Sequence, residues 1–136
     1  MISYLVGRQS RDAITRSNQE LTRQWWETRR FEYELYVSEL VVREAEIGEL
    51  GAARIAVPEE AELLAPTIMR AAGLASNATT DALHIALAAV YGMHYLVTWN
   101  CKHIANAVIR RAVERQCRLG GYEPPVICTP QELLER

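Results

Sequence analysis

Three segments of this chain carry oxygen-bearing residues of the types that bind a hard metal ion. Glu44 lies in "SELVVREAEIG", Asp81 opens "DALHIALAAV", and Thr98 and Asn100 flank a tryptophan in "YLVTWN". Carboxylate and amide oxygens are what Mg²⁺ and Mn²⁺ take as ligands while keeping several waters. An ion held in this way makes a nucleophile of bound water and neutralises charge on a scissile phosphate. The chemistry to expect is phosphodiester hydrolysis without a covalent nucleophile. These three segments are far apart in sequence, so only the fold can gather them.

Each residue also has an ordinary use. Asp81, after Thr79 and Thr80, suits the first turn of a helix, where the macrodipole favours an acid. Glu44 has Glu39, Glu46 and Glu49 around it and alone reads as solvated charge. Thr98 and Asn100 suit a turn at a strand end. His84 and His103 lack the paired spacing of a zinc site. Trp25, Trp26 and Trp99 read as core or interface residues.

The elements that must position these groups follow from periodicity. Residues 11–30 carry Ile14, Leu21, Trp25 and Trp26 on a loosely helical spacing, which predicts a long first helix. "YELYVS" (33–38) is rich in aromatic and β-branched residues and predicts a strand. "SELVVREAEIG" returns to a helical rhythm with Ser38 as N-cap and Gly48 past its end. A helix is predicted over 58–72, with Pro58 at its start, Gly73 at its stop and a kink or break at Pro66. Residues 79–90 predict an apolar helix and 95–99 a buried strand. A long amphipathic helix follows from His103 to Gly120–Gly121, then a strand at 126–129 and a closing helical turn in "PQELLER". Strands alternating with helices argue for α/β layers around a mostly parallel sheet, and ligands of such sheets bind outside the carboxyl ends of the strands.

With 136 residues, 49% of them hydrophobic, the chain fits a single domain, 1–136, with a substantial core. The net charge of -2 excludes a broadly basic nucleic-acid coat but leaves room for a local patch. Charge is segregated: nine glutamates lie between Glu32 and Glu62 against Arg43 and Arg54. Between Lys102 and Arg118 there are five basic residues, Lys102, Arg110, Arg111, Arg115 and Arg118, against Glu114 alone. An acidic strip and a basic helix suit a metal-dependent nuclease, and ordinary solvated faces look the same. Cys101, Cys117 and Cys128 form no CxxC pair and are odd in number, which fits a reducing interior. No signal-peptide pattern is present, and the longest apolar stretch, 85–99, is interrupted by Gly92 and His94. A soluble, cytoplasmic protein is expected.

Taken together, "YVSELVVREAEIG", "DALHIALAAVYGMHYLVTWNCKHIANA" and "LGGYEPPVICTPQELL" resemble the PIN-domain family, in particular its VapC-type toxins of bacterial toxin–antitoxin systems. The resemblance runs from about Trp25 onward, and the second motif is its most specific part. It implies a PIN-like three-layer α/β fold, with a mostly parallel central sheet flanked by helices. It also implies an acidic cluster that binds Mg²⁺ or Mn²⁺ and cleaves RNA. Carried over by position, the metal ligands would be Glu44, Asp81 and Asn100, with Thr98 completing the catalytic set. Ser38, Glu44 and Gly48 keep the family's spacing around its helix acid. The basic helix would contact RNA phosphates, and a homodimer silenced by a small antitoxin protein would be the expected assembly.

Two departures from the family pattern stand out. Asn100 occupies a position where many members carry aspartate. The family's first strand ends in an acid, whereas this chain opens "MISYLVGRQSRD" with no acid before Asp12. The expected fold therefore lacks that first strand and its ligand. The corresponding alternative is a degenerate PIN module that binds RNA or a protein partner without cutting.

Overall fold

The computed structural model of the chain describes residues 11–38, 53–99 and 107–135. These are mixed α/β, with helices predominating and every strand pairing parallel. They divide into two compact units, one running to Ala56 and resuming at Thr129, the other Val57–Cys128.

The first unit begins with α1 (Ala13–Arg29). Asp12 caps it, accepting a hydrogen bond from the Thr15 N–H at 2.8 Å. This satisfies one of the donors that a helix start leaves orphaned. The same bond holds the Asp12 carboxyl below its ordinary pKa. The face of α1 that is buried carries Gln19, Thr22 and Trp25, and α1 packs on the short helix α5 (Pro130–Leu134). Thr22 escapes the cost of burial by donating its hydroxyl to the Asn18 carbonyl at 2.7 Å. Ile14, expected on the inner face, is 75% exposed although its angular sector is close to that of Trp25. It lies three turns away, where the buried stripe has ended. Thr129 caps α5 by accepting from the Glu132 N–H at 3.2 Å.

Strand β1 (Tyr36–Ser38) pairs in parallel with β2 (Ala53–Ile55), Tyr36 opposite Ala53 and Ser38 opposite Ile55. A parallel pair needs a crossover of a dozen or more residues, and the chain between Ser38 and Ala53 supplies that length. The helix expected after Ser38 falls outside the described residues. Strand β2 was not foreseen from the sequence.

The second unit is built on α2 (Glu59–Ala72) and α3 (Thr79–Val90), which make its closest helix pair. The interior faces are Ala61, Leu64, Ala65 and Ile68 on α2, and Ala82, Ile85, Ala86, Leu87, Ala88 and Ala89 on α3. So many alanines let the helices approach closely. Pro66 does not split α2, which is continuous through it. Its ring is exposed, and the hydrogen bond it cannot donate would have gone to a carbonyl on the solvent side, where water can substitute. Gly73 ends α2 at φ 63°, with the Leu74 N–H returning to the Met69 carbonyl at 3.0 Å. That is a Schellman closure, and its left-handed residue explains why glycine stands there.

Strand β3 (Tyr95–Val97) follows α3, and α4 (Ala107–Leu119) carries the chain over to β4 (Val126–Cys128). Strands β3 and β4 are parallel, with Leu96 opposite Ile127. The resulting β-α-β unit is the arrangement expected of α/β layers. The described strands form two separate two-stranded sheets. Among the described residues no helix is long and apolar enough to cross a membrane.

Candidate functional site

Asp81 is the third residue of α3 and the acid of its first turn. No side chain caps this helix: the N-cap position is Ala78, and Thr79 instead donates its hydroxyl back to the Ser76 carbonyl at 2.7 Å. A 3-10 turn, Ser76–Ala78, delivers the chain to the helix start. Ala82 and Ile85 are buried behind Asp81, whereas Asp81 itself is half-buried, at the edge of the apolar surface. Its charge sits where the exposed N–H groups of the first turn favour an anion.

One turn further on, His84 is half-buried. Burial lowers its pKa from the usual 6.5, and the Asp81 carboxylate pulls it partly back. The imidazole is therefore neutral near pH 7, with its charge state coupled to the acid.

Thr98 follows β3 directly. Its N–H donates to the Cys128 carbonyl at 2.8 Å, which extends the β3–β4 ladder by one bond and fixes the start of the turn. Helix α3 touches β3 and is joined to it by residues 91–94. Asp81 heads α3 and Thr98 follows β3, both in the second unit; Glu44 and Asn100 lie outside the described residues.

The basic helix is narrower than its composition implied. On α4 the exposed arginines are Arg111, Arg115 and Arg118, spaced four and three residues apart along one face. Arg110 turns partly inward, with its Nε buried and unpartnered, and Lys102 lies outside the described residues. Arg118 stands 3.8 Å from both Glu114 and Glu123, all three exposed, so these are weak, screened pairs. Arg111 and Arg115 border a shallow groove of about 670 Å³ with Val108, Ala112 and Leu119.

Chemically, Asp81 and Thr98 offer oxygen donors that suit a hard divalent cation rather than a soft one. Among the described residues no three His, Cys, Asp or Glu side chains cluster. Cys117 and Cys128 are buried and outside any disulfide among the described residues. The sequence reading missed an aromatic group at the end of α1, although "WWETRRF" places arginines one turn after its tryptophans. The chain matches no family model, and no curated protein or solved structure is significantly similar to it.

Proposed function

We propose that this chain is a metal-dependent endoribonuclease of the VapC toxin type, with a PIN-like fold in which one mostly parallel sheet is flanked by helices. The observation that supports this reading is Asp81, the acid of the first turn of α3, on a helix that no side chain caps. The resemblance of "DALHIALAAVYGMHYLVTWN" assigns that same residue to a metal site.

By that resemblance the Glu44 and Asp81 carboxylates and the Asn100 amide oxygen would hold Mg²⁺ or Mn²⁺. When bound, the ion supplies a water of lowered pKa and neutralises phosphate charge. The first turn of α3 is a position that favours an acid, and His84, its pKa lowered by burial, is neutral near pH 7. Thr98, tied to β4 through its backbone, would help orient the ion or a bound water. Arg111, Arg115 and Arg118 bind successive RNA phosphates along one face of α4. The protein acts in the cytoplasm as a homodimer and is silenced by an antitoxin protein.

Incubation of the chain with RNA, with Mn²⁺ or with a chelator, tests the activity: cleavage should appear with the metal and stop with the chelator. A second reading, a degenerate module that binds without cutting, is favoured by neutral Asn100 where many family members have aspartate. Fewer charged ligands weaken cation binding. Calorimetry with Mn²⁺ separates the two, because tight binding of the ion counts against degeneracy.

A further inference from the structure

Phe31 is the only phenylalanine of the chain, and it is 78% exposed. It sits in a 3-10 turn, Arg30–Glu32, closed by the Tyr33 N–H bonding to the Arg30 carbonyl at 3.1 Å. A 3.4 Å contact between Arg29 and Glu32 braces the turn. The guanidinium of Arg30 lies 4.7 Å from the Phe31 ring centroid and 5.0 Å from that of Trp26. Trp26 meets Trp25 edge-on at 6.3 Å, and Trp25, 2% exposed, meets Tyr33 at 5.9 Å. Ring contacts therefore run from the core of this unit outward to Trp26, and the Arg30 guanidinium, over both rings, links Trp26 to the exposed phenyl ring of Phe31.

Leaving a phenyl group in water forfeits the free energy its burial would bring. Holding it on a braced turn, backed by a cation, adds nothing to the core. The arrangement matches how single-stranded nucleic acid is bound: one face of the ring, opposite the guanidinium that lies over the other, can take a base, and the guanidinium's in-plane N–H donors suit a phosphate. A protein interface would need a contiguous apolar area. Among the described residues of this unit the other exposed large apolar side chains are Ile14, roughly 25 Å away along the axis of α1, and Tyr36, whose ring carries a polar hydroxyl. The surroundings of Phe31 are charged, with Arg29, Arg30, Glu27 and Glu32 as near neighbours in the chain.

We infer that Phe31 and Arg30, seated on Trp26, form a stacking site for one base of single-stranded RNA. The inference rests on the ribonuclease reading for its choice of ligand but not for any step of catalysis. The site holds the strand and takes no part in cleavage.

The test is binding of a short fluorescein-labelled oligoadenylate with metal chelated, so that affinity is read without cutting. Phe31→Leu should weaken binding about tenfold, within the range for losing one stacked ring, and Phe31→Trp should preserve it. The salt dependence of binding should be the same in both variants, since a ring neutralises no phosphate. Trp26 fluorescence should change on addition of the oligonucleotide. Equal affinity for Phe31→Leu and the parent chain would overturn the inference, as would no binding by the parent. A Phe31→Leu variant that only alters self-association in sedimentation would overturn it in favour of a protein contact. None of these outcomes bears on whether Asp81 supports cleavage.

Discussion

His84 follows Asp81 by one turn of α3, and the Asp81 carboxylate opposes the burial that lowers the imidazole pKa. Removing the negative charge by Asp81→Asn should leave burial unopposed and drop the His84 pKa further. Proton NMR titration of the His84 ring reads this directly; an unchanged or raised value would show that the two groups are not coupled. The stability consequence has a definite sign. An unfolded histidine titrates near 6.5, and the folded value is lower, so between the two the unfolded chain binds more protons. This contribution is fully present above pH 6.5 and is lost as the pH falls toward the folded value. Thermal midpoints should therefore rise with pH through that window, and His84→Gln should flatten the rise.

Cys117 is fully buried, and burial raises its thiol from 9.0 to about 11. The thiolate is the reactive form, so almost none is available near pH 8. Maleimide labelling of the native chain, located by peptide mass spectrometry, should spare Cys117 until denaturant is added. Prompt modification without denaturant would mean that the α4 face carrying Cys117 opens readily.

The core of the second unit rests on the α2–α3 contact. Ile85 is fully buried, and Ile85→Ala should cost about 2–5 kcal/mol in urea unfolding, from lost transfer free energy and the cavity left behind. Gly73→Ala is a contrasting case: a Cβ there meets nothing within 4 Å, so only the positive φ is penalised. Its cost should be nearer ~1 kcal/mol. Equal losses for the two would argue against this division between packing and backbone strain.

Much of this was legible in the sequence, for identifiable reasons. Helix α3 was expected over 79–90 and runs Thr79–Val90, because "TTD" marks its start and Gly92 its end. Pro58 and Gly73 bracketed α2 in the same way. Strand β2 was illegible because "ARI" is three residues long, carries an exposed arginine and shows too short an alternation to register. Periodicity alone could not tell that Ile14 would lie beyond the buried part of α1, or that Thr22 and Gln19 would fill positions meant for apolar residues. Of the candidate site, the type and local setting of Asp81 were legible. The arginines of α4 were counted correctly, but only the structure separated inward-leaning Arg110 from exposed Arg111, Arg115 and Arg118.

That separation has a measurable consequence. If Arg111 and Arg115 each meet a phosphate, Arg111→Gln with Arg115→Gln should weaken single-stranded RNA binding and lower the slope of log affinity against log salt by roughly 1.4. Fluorescence anisotropy over a salt series reads the slope. An unchanged slope would remove α4 from the RNA-binding face.

The most direct test of the central claim is RNA cleavage by the Asp81→Asn variant in Mn²⁺, beside the parent chain at equal concentration and with matched thermal midpoints. Asparagine keeps the size and first-turn position of the side chain but removes its charge. The account predicts metal-dependent cleavage by the parent and a loss of at least about a hundredfold in the variant, the scale for removing a group that stabilises transition-state charge. A variant that cuts as fast as the parent would contradict the assignment of Asp81 to the metal site.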